Sequence, residues 1–265
     1  MSGLITISPT LIQKHVAESE ILRRAFELLE SDDEVQELIK MSNIMAVGRL
    51  RYNDHGIVHA RIVSGAALEL FDLLTERGVK PSTLRFGTAR NVEEAKLIVL
   101  MAAYLHDIGN AVHRDNHELI GALISKDILD RLLPEIIPDI GRRKYLLRQE
   151  IMHAIYATEM HRKALTIEAG IVMVSDGTDM AEGRARIPYR LGKLDMHAVS
   201  AISIRKVLLG PGNGVPARIE VLMNDKAGLF QIEAVLKPKI GTSGLGDYLE
   251  VYAEVDGNKM RVFPD

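Results

Sequence analysis

His106 and Asp107 stand side by side in "LHDIGN" (105–110), at the end of an apolar run, and further imidazoles and carboxylates recur on either side. His55 and His59 are four residues apart in "NDHGIVHARIV". His117 follows in "NHELIG", His153 in "IMHAIYATE" and Asp176 in "VSDGTDM". The chain contains no cysteine, so a metal held by these residues would have nitrogen and oxygen ligands only. Several imidazoles with two carboxylates suit divalent Fe, Mn, Zn, Co or Ni better than calcium or a structural zinc site.

Such side chains need rigid supports, and apolar residues at helical spacing supply them almost continuously to about residue 197. Ser8 and Pro9 could open a first helix with Leu11, Ile12, His15 and Val16 on one face. A long buried helix is predicted from a cap at Asn53 or Asp54 to a stop at Gly78. If it has already begun at His55, then His55 and His59 share a face. Asn91 and Glu94 have capping-box spacing, which places His106 and Asp107 in the last turn of a helix closing at Gly109. Asp115 and Glu118 repeat that signal, with Pro134 limiting the far end and His117 in the first turn. Two further helices carry His153 and Asp176.

After residue 198 the pattern changes to alternation and β-branched residues in "SAISIRKVLL", "ARIEVLMN" and "DYLEVYAEVDG", around the turn-rich "GPGNGVP". The helix-like "DKAGLFQIEAVL" loosely resembles the regulatory ACT modules. The expected architecture is therefore mainly α: a helical bundle over 1–197 with a small α+β module over 198–265. That module offers no catalytic constellation, so it is expected to serve assembly, as a homo-oligomer, or regulation, and to matter little for metal binding.

The order His59, His106–Asp107, Asp176 resembles that of the HD-domain superfamily of metal-dependent phosphohydrolases, over roughly residues 40–200. The resemblance implies that these four residues bind one metal, and that His117 and His153, between the HD pair and the last Asp, mark a second, with Asp107 bridging. It also implies that a metal-bound hydroxide hydrolyses a phosphate ester or phosphodiester of a nucleotide-like substrate, since two ions can clamp a phosphoryl group and stabilise in-line displacement. By the same resemblance His55 is a general acid, with ligation of a third metal as its competing role. His113, and Arg184 with Arg186, are placed to meet substrate phosphate. Asp179, one turn after Asp176, is the weaker ligand candidate of the two and could pair with an arginine.

Departures from the family narrow the substrate. Asn110 stands where the cyclic-dinucleotide (HD-GYP) branch has Lys, and no Gly-Tyr-Pro follows the single His153. The layout is closer to the HD domains of bacterial endoribonuclease Y, without the RNA-binding module, so RNA is a minor alternative substrate. A di-iron oxygenase and a non-catalytic nucleotide sensor are the competing functions.

Bulk properties set the remaining bounds. A net charge of −3 gives no broad attraction for nucleic acid. No apolar run approaches the ~20 residues that span a bilayer, and the N-terminus lacks a basic-then-apolar leader, so the expected location is the cytoplasm.

Overall fold

The computed structural model describes residues 3–181 and 196–264. Nine helices precede residue 181: α1 (Leu11–Glu18), α2 (Glu20–Ser31), α3 (Asp33–Asn43), α4 (Ile57–Glu76), α5 (Ser82–Arg85), α6 (Val92–Leu105), α7 (His117–Ile136), α8 (Lys144–Tyr156) and α9 (Ile167–Thr178). Then come α10 (Met196–Ile202) and the strands β2 (Ile204–Pro211), β3 (Ala217–Met223), β4 (Leu249–Val255) and β5 (Asn258–Phe263), with β1 (Ile5–Thr6) at the chain's start. The mainly α fold with a small sheet is thus as the sequence predicts.

Helices α4, α6 and α9 form the centre of the helical bundle. In α6 every residue from Ala95 to Leu105 except Lys96 is buried, and α9 is buried from Glu168 to Ser175. Helices with apolar residues on all faces belong inside a bundle, where each buried aliphatic side chain contributes about 1.5–3 kcal/mol. Asn91 caps α6 as its spacing predicts, its Oδ1 accepting the Glu94 N–H at 2.9 Å. The reciprocal bond shifts by one residue: Glu94 accepts from Arg90 N–H instead of Asn91.

Several boundaries differ from the sequence reading. α4 begins only at Ile57, with Gly56 as its cap, so His55 lies in the preceding loop and not on the helix. His106 and Asp107 fall just beyond α6, because the chain tightens there into a 3-10 turn, Ile108–Ala111. α7 starts after Asn116, in the left-handed region (φ 60°), and not at an Asp115 cap. The expected boundary at 197/198 falls within α10.

The sheet runs β1-β2-β3-β4-β5, antiparallel except for the parallel pair β3–β4. A parallel pair needs a long crossover. Here it contains one continuous helix in three pieces: α11 (Leu229–Gln231), a π-helical stretch (Ile232–Leu236) and α12 (Lys237–Ser243). β1 is an edge strand supplied from the N-terminal region, Ile5 pairing with Leu209. Among the described residues no helix is long and apolar enough to cross a membrane.

Candidate metal centre

Four elements bring their side chains to one point. α4 presents His59 from its first turn, the end of α6 gives His106 and Asp107, α7 opens with His117, and α9 carries Asp176 near its end. The junction between the HD pair and α7 depends on Gly109. A Cβ there would lie 2.0 Å from His117 O and 2.5 Å from Gly121 N, so only glycine permits that approach. His55 is held by its loop: its N–H donates to Asn43 Oδ1 at 3.1 Å, and its Nδ1 lies 2.5 Å from Asp107 Oδ2.

The core of the cluster consists of four atoms. His59 Nε2 lies 3.2 Å from His106 Nε2, 3.2 Å from Asp176 Oδ1 and 3.3 Å from Asp107 Oδ2. His106 Nε2 is 3.4 Å from Asp107 Oδ2 and 3.6 Å from Asp176 Oδ1. Two ligands each about 2.1 Å from a common ion, at tetrahedral or octahedral angles, lie about 3.0–3.4 Å apart. All of these spacings except His106–Asp176, at 3.6 Å, fall in that range.

The proton positions point the same way. His106 Nδ1 lies 2.8 Å from Ala103 O, and His117 Nδ1 lies 2.9 Å from Arg114 O. A carbonyl can only accept, so each Nδ1 carries a proton and a neutral ring keeps a lone pair on Nε2. His59 Nδ1 faces Asp179 Oδ2 at 2.7 Å, the carboxylate–histidine pairing that orients metal-bound imidazoles. The Nε2 lone pairs of His59 and His106 then point at each other across 3.2 Å, an arrangement that a cation relieves.

Asp107 is fixed further by Asn110, whose Nδ2 donates to Oδ1 at 2.9 Å, and Arg114 in turn donates to Asn110 Oδ1 at 3.1 Å. Burial alone would raise the Asp107 carboxyl, but the imidazoles of His106, His55 and His117 gathered around it hold it well below the usual range. Burial likewise opposes ionisation of Asp176; the Lys239 ammonium, with the imidazoles of His106 and His59 beside it, outweighs that and holds the carboxyl well below the usual range.

Above the cluster opens a cavity of about 500 Å³. Its walls include His55, Asp107, His117 and Asp176, together with Tyr52, Arg114, Met160 and Met180, and Gln231, Val235 and Lys239 from the C-terminal module.

Not every expected residue arrives here. His153 is turned elsewhere, its Nε2 accepting the Leu165 N–H at 3.2 Å, and burial lowers its pKa. This corrects the ligand role expected of it. His113 is exposed in its loop and accepts the Asp115 N–H, so it is not a wall of the cavity. Arg184 and Arg186 lie outside the described residues. Conversely, Arg114, Asp179 and Lys239 take places at the site that sequence spacing did not assign.

Comparison with known proteins agrees with this geometry. The HD domain family model matches residues 57–181, which contain His59, His106, Asp107, His117 and Asp176. The chain belongs to the HD-domain family, whose members are generally metal-dependent phosphohydrolases, and its buried His/Asp cluster fits metal binding. It is 43% identical over 239 residues to the "Uncharacterized protein MJ1020" of Methanocaldococcus jannaschii, covering 90% of this chain and 91% of that one. A shorter likeness, 25% identical over 153 residues, is to the chromosome partition protein Smc of Chlorobaculum tepidum. It takes in 57% of this chain but 12% of Smc, too small a share to transfer any role. No solved structure matches the chain significantly.

Proposed function

We propose that the protein hydrolyses a phosphate ester or phosphodiester of a nucleotide-like substrate at one tight divalent-metal position made by His59, His106, Asp107 and Asp176. The observation that carries this is that two imidazole nitrogens, His59 Nε2 and His106 Nε2, lie 3.2 Å apart and each within 3.2–3.6 Å of Asp107 Oδ2 and of Asp176 Oδ1, beneath an open cavity. A divalent ion bound there would activate water and offset charge on the phosphoryl oxygens. The chain's own groups supply the rest. Arg114, half-buried in the wall, offers a guanidinium for bidentate contact with phosphate. His55, oriented through Nδ1 by Asp107, is placed to give a proton to the leaving oxygen. The Tyr52 ring with Met160 and Met180 forms a surface for a base, and Gln231 an amide for its edge.

With His153 withdrawn, a second ion would rest on His117 and Asp107 Oδ1, which are 3.4 Å apart. Metal content per chain decides the number: close to one supports the single tight position, close to two restores the binuclear arrangement. The function is tested on the Mn-loaded protein with a panel of nucleotides and phosphodiesters. Hydrolysis is expected, read as phosphate release from monoesters and as a monoester product from diesters, and it is expected to disappear in His106→Ala. Tight nucleotide binding without turnover under every metal would favour the sensor instead, and a redox-active mixed-valence iron pair would favour the oxygenase.

A further inference from the structure

The C-terminal module reaches into the metal centre. Lys239, on α12, is 6% exposed, and its Nζ donates to Asp176 Oδ2 at 2.8 Å and to Thr158 O at 2.8 Å. The two oxygens of Asp176 are thus divided: Oδ2 faces the ammonium, while Oδ1 faces His59 and His106.

Two features of the backbone indicate that this contact is built in. The first is the π-helical stretch. Gln231, Val235 and Lys239 all line the cavity, at spacings of four. In an uninterrupted α-helix, eight residues overshoot two full turns by about 80°, which would swing Lys239 away from the line of Gln231. The wider i→i+5 turn over Ile232–Leu236 absorbs that excess and keeps all three on the cavity side. The second is the surface of α9 that receives the helix. A Cβ on Gly170 would lie 2.2 Å from Ser243 O, and one on Gly177 would lie 3.1 Å from Lys239 Cδ. The helix bearing Asp176 thus has glycine at two of the points where the helix bearing Lys239 crosses it.

We propose that Lys239 is a positioning residue of the metal centre, contributed by the C-terminal module: its ammonium fixes Asp176 Oδ2 so that Oδ1 alone is turned toward His59 and His106. The proposal rests on the metal-binding reading above. It makes a prediction of definite sign. A lysine that acted only as a nearby positive charge would repel a dication, and its removal would tighten metal binding. A lysine that orients a ligand has the opposite effect, and loss of such partners typically costs about 10–100-fold in affinity.

The test uses the full-length protein with Co²⁺ as probe, following affinity by calorimetry and ligand geometry by visible absorption. Lys239→Met keeps the apolar stem and removes the charge. It is expected to keep wild-type circular dichroism, to bind Co²⁺ about 10–100-fold more weakly, and to show an altered d–d spectrum. Wild-type or tighter affinity with an unchanged spectrum in the folded variant overturns the proposal alone. Failure of the wild type to bind Co²⁺ overturns the metal reading and this inference with it. Should Lys239→Met not fold, Lys239→Leu also removes both charge and donor, and unchanged affinity and spectrum in that variant count equally against the positioning role.

Discussion

His15 and His59 are both buried histidines facing two or more carboxylates, yet they sit in opposite kinds of cluster. Around His15, Nδ1 lies 3.1 Å from Asp72 Oδ2 and Nε2 lies 3.1 Å from Glu69 Oε2, while Lys96 and Lys14 pair with the same two carboxylates at 2.6 and 2.7 Å. Both ring nitrogens lie beside carboxylate oxygens, and the two acids are balanced by two lysines. Nothing is left over for a metal. Around His59, among the described residues, three carboxylates meet Lys239, and each ring's Nδ1 proton is engaged behind it, by Asp179 for His59 and by Ala103 O for His106. Counting buried histidines and acids does not separate the two. What separates them is the atom behind the ring: an acceptor on Nδ1 alone frees Nε2 for a cation, whereas acceptors on both nitrogens close the ring off.

The contrast can be broken most sharply by paired substitutions. Asp107→Ala should abolish measurable divalent-ion binding while helical circular dichroism persists. Glu69→Ala should do the reverse, keeping metal uptake but losing about 3–5 kcal/mol in denaturant unfolding, because it strands a buried partner. If both variants lose the same property, the two clusters are not different in kind. Asp179→Asn tests the atom behind the ring. It is expected to weaken metal binding by about 10–100-fold in a calorimetric titration, with little change in melting temperature.

The smallest effect is one of pH. For His15 burial opposes the charged form, but hydrogen bonds to the Asp72 and Glu69 carboxylates outweigh it, so the folded pKa is raised above the ordinary value of about 6.5. Its stabilisation is fully present below that value and is lost as pH rises through the folded one. Glu69 and Asp72 shift down, against burial, through His15 and the lysines. Their contribution is present above the ordinary carboxylate range and is lost as pH falls through the folded values. Wild type should therefore lead His15→Leu in melting temperature by the widest margin near pH 5.5–6.5, an approximate window set by these ordinary values, and the lead should shrink as pH rises. A constant difference from pH 5.5 to 9 would contradict the assignment.

Much of this difference could not be read from the chain. The helices were legible because apolar periodicity and the Asn91 cap are local, and the four-residue core of the site because His59, His106, Asp107 and Asp176 fall in a recognisable order. His153 has the right spacing as well, but its ring is committed to the Leu165 backbone, a contact that spacing does not encode. Asp179 was visible as a neighbour of Asp176. Its role depends on meeting His59, 120 positions earlier in the chain. The cap candidates Asn53 and Asp54 leave open whether His55 is helical; the helix begins two residues later, after Gly56. Lys239 carries no motif at all and is one of 33 basic residues.

The crossover helix also imposes an order of events on a chain made from its N-terminus. His59, His106, Asp107 and Asp176 have all been synthesised well before Lys239, and β1 waits for a partner strand that begins at Ile204. A nascent chain can therefore gather its four candidate ligands while one of them, Asp176, still lacks the group that orients it. Termination anywhere between α9 and α12 would remove Lys239 and the helix that packs on α9, so the wall of the cavity is complete only once translation has passed the crossover.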